Sequence, residues 1–291
     1  QHMRAAGGER VLLGRTFLRR DGHLATALDV LHRHAARHLG DAGHTVPVGL
    51  LTDEHVSTML GELDVDEARI TPQLRQLLRV PLHLALFHQI SPLDPAKLLA
   101  LTTLGALYDE FWSAKQAELA QRLGREANWT TVLDELIEDM NTRASLQAPT
   151  EIIDAWEADR AAMLSSSVLL EDNGQLAFFH ETFFDYVFAR RFFARRRTVR
   201  DLLTDDQLLF RRAQVRQLLA YERHGAIDTY IADVRYLLLD PSVRFHIREV
   251  VLGWLATVED PMEAEWEALD ELLQAAGPVA PRVWAAISGP A

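Results

Sequence analysis

The stretch Gln175-Leu-Ala-Phe-Phe-His-Glu-Thr-Phe-Phe-Asp-Tyr-Val-Phe-Ala-Arg-Arg-Phe-Phe-Ala-Arg195 decides the fold of this chain. It opens as a short apolar strand, Leu176 to Phe179, and turns at His180 into a helix. Thr182 with Asp185 three residues on reads as a capping-box-like start. Phe183, Phe184, Val187, Phe188 and Phe192 recur at helical spacing and form one broad apolar face. Arg190, Arg191, Arg195, Arg196 and Arg197 gather at the far end, where the helix dipole favours cations. Upstream, Ser167-Val-Leu-Leu-Glu171 and the strand at Leu176 flank Asp172-Asn-Gly174, the signature of a hairpin with a tight turn. A hairpin feeding a large aromatic helix is the pattern of a winged-helix module.

The rest of the chain reads as helix. Residues 24–39 carry Leu24, Leu28, Leu31 and Ala35 on one face, and Val46 to Leu51 is a short apolar segment. Thr52-Asp-Glu opens a helix over 53–63 with Val56, Met59, Leu60 and Leu63 inward. Residues 71–90 are helical and apolar almost all round, with a break at Pro81, which lacks a backbone donor. A long helix is expected over 96–124, and two more over 128–145 and 150–165. After Arg197, Asp205-Asp-Gln is expected to start a helix through Tyr221, Gly225 to end it, and Ala226 to Leu239 to follow. Asp240-Pro241 and Asp260-Pro261 read as N-cap acids before N1 prolines. Paired helices at this spacing resemble HEAT or armadillo repeats.

The fold class expected is therefore mainly α: a helical lid-like domain, a winged-helix module with one small β-hairpin, and a HEAT/armadillo-like helical array. The expected divisions are 1–50, an N-terminal segment that begins with a tag-like Gln-His-Met; 51–147, the lid; 148–200, the winged helix; and 201–291, the repeats.

Composition narrows the function classes. The chain has 291 residues, enough for two or three modules. It has no cysteine, which excludes disulfides, zinc–thiolate sites and a cysteine nucleophile, and suits a reducing cytoplasm. No run of about 18 apolar residues is present, so no membrane helix is expected. A net charge of −12 disfavours general binding to polyanions, with the arginines at 190–197 a local exception. Those arginines read as a helix end paired with acids such as Glu181 or Asp201. His23, His32, His34, His38 and His44 cluster, and His34 and His38 have i, i+4 spacing, but no carboxylate shares their face; the cluster reads as a solvated surface. Glu110, Glu118, Glu135 and Glu138 read as solvated helix faces, with no matching base or nucleophile beside them. There is no Gly-x-x-x-x-Gly-Lys-Ser/Thr, no Gly-x-Ser-x-Gly, no His-Glu-x-x-His and no Gly-x-Gly-x-x-Gly. This chain alone therefore has no phosphate-cradling loop and is not a P-loop ATPase by itself.

The run Ser165-Ser-Ser-Val-Leu-Leu170, followed by Leu176-Ala-Phe-Phe-His-Glu-Thr-Phe-Phe-Asp-Tyr-Val-Phe-Ala-Arg-Arg-Phe192, resembles the winged-helix motif of NACHT-type STAND NTPases. Bacterial members of that family, related to animal NOD-like receptors, act in signalling and antiphage defence. The resemblance covers roughly residues 50–290. Thr52-Asp-Glu-His-Val-Ser-Thr-Met-Leu60 and Arg79-Val-Pro-Leu-His-Leu-Ala-Leu-Phe87 are similar to the helical lid over the nucleotide, and Leu107-Tyr-Asp-Glu-Phe-Trp-Ser-Ala-Lys115 looks like the helix that follows in bacterial members. By this resemblance, Pro81 matches the proline that packs on adenine, and His180 matches the histidine that touches the β-phosphate of ADP and holds the protein off.

The resemblance implies a C-terminal part of a longer protein whose nucleotide-binding core lies upstream. ADP or ATP is expected only together with that core. The expected partners are that core, an effector or ligand protein, and further copies of the full protein in its active state, with no membrane. Two other functions fit the residues: a helical-repeat scaffold that binds protein without nucleotide, and a winged-helix regulator that binds DNA. A histidine that only caps its helix and a proline that only breaks one are the plain alternatives at His180 and Pro81.

Overall fold

A computed structural model describes residues 49–90, 98–204, 207–258, 261–274 and 279–288. The expected helix over 24–39 and the histidines at 23–44 lie outside the described residues. The fold is mainly α, with thirteen α-helices and one three-stranded antiparallel sheet among the described residues. These residues pack as two compact units. One is drawn from Gln1–Val132 and Gln147–His180, the other from Leu133–Leu146 and Glu181–Ala291.

In the first unit, α1 (Asp53–Glu62) starts where the Thr52 hydroxyl accepts from the His55 amide. It buries Val56, Met59 and Leu60. The expected break at Pro81 is present: α2 (Pro72–Leu78) stops and α3 (Pro81–Ile90) starts at the proline itself. Pro is suited to the first helical position because its missing N–H would have no partner there. Arg79 closes this corner, its carbonyl accepting from the Leu51 amide at 2.7 Å while its Nε donates to the Leu51 carbonyl at 3.1 Å. The long helix, α4 (Leu104–Leu123), begins later than the apolar pattern suggests. Thr103 is extended and caps it through the Ala106 amide, while Leu98 and Leu101 are buried ahead of the cap.

The next helix, α5 (Trp129–Thr142), starts in the first unit and continues into the second. Its start is fixed by α6 (Glu157–Ser165), which follows a 3₁₀ stretch at Thr150–Trp156. Asp159 of α6 is 1% exposed and accepts from the Asn128 amide at 2.7 Å, from Asn128 Nδ2 at 3.2 Å, and from both terminal nitrogens of Arg125. Burial alone would raise its pKa, but these donors hold it below the usual carboxylate range. Trp129 meets Trp112 edge-on at 5.0 Å. Glu118, expected as a solvated face, is instead half-buried and tied to Lys115, Arg122 and Ser166.

The sheet has the order β1 (Ala148–Pro149), β3 (Gln175–Phe178), β2 (Leu169–Asp172). The hairpin is the one expected, with Asp172 opposite Gln175 and Asn173 and Gly174 at φ 50° and 72°, the left-handed pair that a two-residue turn demands. The edge strand β1 was not visible in sequence. Two residues carry no alternation, and the proline is tolerated because its side of the ladder is open.

The second unit is a layered helical array. It begins with α7 (Glu181–Ala194), which starts one residue before Thr182. Thr182 therefore sits in the first turn and not at the cap. The capping box found in this region is at α8 (Val199–Leu203), between Thr198 and Asp201. Then come α9 (Arg211–Gly225), α10 (Ile227–Leu239), α11 (Phe245–Ala256), α12 (Glu263–Gln274) and α13 (Val279–Ser288). α7, α9, α11 and α13 stack one on the next in a row, and α10 and α12 form a second row, the two-layer arrangement of paired-helix repeats.

Three expected starts are corrected. α9 begins at Arg211, not at Asp205, because Gln207 is drawn into the core: its Nε2 donates to the carbonyls of Leu203 and Ser242, and its Oε1 accepts from the Arg244 amide. Asp240-Pro241 opens a turn rather than a helix, since the Asp240 carboxylate accepts from the amide and hydroxyl of Ser242. α12 starts at Glu263, after Pro261, and Asp260 lies outside the described residues. The rows are also joined across the array. Arg223 of α9 grips the 3%-exposed Glu265 of α12 with two bonds, at 2.6 and 2.9 Å. Burial works against the Glu265 charge, but Arg223 and the Met262 amide keep its pKa low.

Candidate functional site

His180 follows β3 directly and precedes the first residue of α7. The strand delivers it there: the Phe179 amide donates to the Val168 carbonyl at 3.3 Å, and the Phe179 ring packs on Phe111 of α4 with centroids 5.5 Å apart. The first-turn amides of a fourteen-residue helix lie just beyond, at the positive end of its dipole. A helix N-terminus favours an anion in general, and here Glu181 already supplies one negative charge in the first turn. The histidine is 8% exposed, so its ring is largely covered. Pro81, half-buried, begins α3 in the same compact unit. The helix-break role of Pro81 is realised.

The arginine cluster at the end of α7 is engaged: after the Thr198 bonds, Arg197 helps lower the pKa of the expected Asp201, while Arg191 and Arg195 take acids that were not expected. Arg191 binds Asp134 of α5 with Nε and Nη2, both at 2.7 Å. Arg195 bonds Glu138 at 2.9 Å and lies 3.4 Å from Asp134. Arg190 donates to the Tyr186 hydroxyl at 2.8 Å. The sequence hid these partners because they lie on a helix 57 positions away, whereas Glu181 and Asp201 are neighbours in the chain. A DNA-binding reading needs those side chains on phosphate, and here two of them are committed to carboxylates.

Within the second unit a cleft of about 690 Å³ opens beside this ion-pair network. Phe192, Leu202 and Leu208 supply apolar wall, and Arg197, Arg211 and Asn141 supply polar wall. Asn141 Oδ1 accepts from both Arg211 Nη1 and Gln214 Nε2. Arg196 stands in the left-handed region at φ 57°, closing α7 where a glycine is usual, and the chain reverses so that Arg197 follows it into the cleft wall. No motif announced this cleft. Its residues come from four separate stretches, and the one sequence hint was an arginine beyond the end of an aromatic helix.

Two carboxyl sites in the array are unusual. Glu222 of α9 and Asp233 of α10 are 3% and 7% exposed. The two carboxyls lie close enough to share a hydrogen bond once one of them holds a proton. Burial, then the charge of Asp233 and the hydrogen bond with it, push the Glu222 pKa up to about 8; burial raises Asp233 as well, against lowering pulls from the bond with Glu222 and then from Arg200. Asp185, on the first turns of α7, is pushed up to about 7 by burial and by Glu181, with Arg216 opposing. Among the described residues no group of three or more histidines and carboxylates could hold a metal ion. No described helix is long and apolar enough to cross a membrane. Comparison with family models, with curated proteins and with solved structures finds no match to the chain.

Proposed function

We propose that the chain is the regulatory and sensing part of a NACHT-type STAND signalling NTPase, working in the cytoplasm, in bacterial defence signalling. The observation that carries this reading is the β2–β3 hairpin running straight into the aromatic helix α7 with His180 at the junction. The layered array after α7 supplies the surface for sensing a ligand protein or packing against an effector. In the resting protein, His180 and Pro81 hold ADP against the nucleotide-binding core. Release then shifts the population toward an oligomer-competent state. Because the His180 ring is 8% exposed, nucleotide contact there requires the covering surface to give way when the core docks.

A second reading is a helical-repeat scaffold that binds protein and has no nucleotide role. Phe245, Trp266 and Trp284, between 56% and 67% exposed on successive helices of the array, favour it. Calorimetric titration with ADP separates the two. On the first reading, ADP binds the protein that includes the nucleotide-binding core, and His180→Ala weakens that binding about tenfold or more. Equal affinity in wild type and His180→Ala, or no ADP binding by the longer protein, removes the first reading and leaves the scaffold.

A further inference from the structure

We propose that the cleft between the C-terminal half of α5, the end of α7, and α8 binds a small organic anion: a phosphate or carboxylate carried on an apolar ring or chain. The proposal is independent of the nucleotide reading at His180.

The cleft volume of about 690 Å³ lies in the range of small-molecule sites. Its polar wall holds a cation with unspent capacity. Arg197 pairs with Glu138 at 3.8 Å and stands close enough to Asp201 to help the Thr198 bonds hold that carboxyl's pKa low, but at 3.8 Å the Glu138 contact is beyond hydrogen-bond reach, so its N–H fork keeps donors for a further acceptor. A planar guanidinium presents five donors in a fork that matches a carboxylate or phosphate edge. Beside it, Asn141 spends its carbonyl oxygen on Arg211 and Gln214, which leaves its amide nitrogen as a second donor on the same wall.

The two carboxylates at the cleft offset part of this charge but leave the donors of Arg197 in place. Glu138 Oε2 accepts from Arg195, and Asp201 Oδ2 accepts from the amide and hydroxyl of Thr198. Both are committed to groups that fix the ends of helices. The lining also has an apolar part: Phe192 and Leu202 are buried, while Leu208 is 51% exposed, a large apolar side chain left open to solvent. A cleft lined by both a fork of donors and apolar side chains selects an anion with an apolar body over a bare inorganic ion. Arg196 adds to the case. A bulky residue held at φ 57° is strain retained where the chain must turn, and the turn is what sets Arg197 at the cleft.

The test uses phenyl phosphate, benzoate and inorganic phosphate as probes, titrated into the whole chain by calorimetry. The expected result is saturable binding of phenyl phosphate or benzoate, with inorganic phosphate about tenfold weaker or more because it leaves the apolar wall unused. The tighter of the two organic probes identifies the head group. Arg197→Gln lowers that affinity about tenfold or more, Arg197→Lys lowers it less because the charge stays and the fork is lost, and Arg235→Gln, away from the cleft, leaves it unchanged. Thermal unfolding of each variant shows that the array is intact. Absence of saturation by every probe at about 1 mM overturns the proposal, as does an affinity that Arg197→Gln leaves untouched.

Discussion

Arg191 and Asp134 face each other in a two-bond pair, guanidinium edge to carboxylate edge, with both N···O distances at 2.7 Å and side-chain exposures of 20% and 17%. The pair fastens the arginine-rich end of α7 to α5. Parallel bonds in a partly dry site resist screening, unlike a lone surface ion pair. Asp134→Asn should cost about 2 kcal/mol, since it weakens both bonds and leaves the guanidinium short of its charge partner. Urea unfolding of the single variants and of Asp134→Asn with Arg191→Gln checks this. The double variant is expected to lose less than the sum of the two singles.

The Glu222–Asp233 pair gives the array a pH dependence opposite to that of ordinary ion pairs. Glu222 binds its proton more tightly folded, at about 8, than in the unfolded chain, where an ordinary carboxyl titrates near 4.5. The folded state is therefore unpenalised below that lower value and loses stability as pH rises through the window up to about 8. The slope is at most about 1.4 kcal/mol per pH unit for one proton. Asp185, raised to about 7, adds to the same trend. Thermal unfolding between pH 5 and pH 9 should show a falling midpoint, and Glu222→Gln should flatten it, most visibly at the alkaline end. A midpoint that rises with pH would remove the pair as its cause.

Gly174 occupies φ 72° in the turn between β2 and β3, with nothing within 4 Å of where a Cβ would stand. The cost of Gly174→Ala is then conformational alone, about 1 kcal/mol. Asn173→Gly should be close to neutral, because its φ of 50° suits glycine as well. Chemical denaturation of the two variants distinguishes a conformational demand from a packing one.

Asp159→Ala strips the start of α5 of its acceptor, leaving the Asn128 amide and one face of Arg125 without it. A loss of about 2 kcal/mol is expected, from an amide donor left dry as well as from the bonds themselves. Asp159→Asn should recover part of it, since a neutral oxygen still accepts from Asn128. Hydrogen exchange at the first turn of α5 reports the effect locally.

Much of this architecture was legible in the chain. Asn173-Gly174 between alternating apolar runs specified the hairpin, Pro81 specified a helix start, and the phenylalanine spacing specified the buried face of α7. These signals are local, carried by backbone demands or by one helix's own periodicity. The errors arose where a side chain reaches far. Gln207 is polar and reads as a helix start, yet its bonds to Ser242 and Arg244 place it in the core as a brace. Asp240-Pro241 has helix-start chemistry, but Ser242 captures the carboxylate first. The cleft at Arg197 was invisible for the same reason. His180 and Pro81 were singled out by likeness of motif, and the structure supplies their placement on a strand–helix junction and a helix start.

The grip of Arg223 on Glu265 ties together two members of the stack that are not consecutive in the chain. A stack joined only neighbour to neighbour frays from its outermost layer, one layer at a time. A rivet set further in changes that: α12 and α13 cannot peel away while α9 stays folded without first stranding a carboxylate and a guanidinium. Breaking this one bond pair should turn an abrupt melt into a staged one.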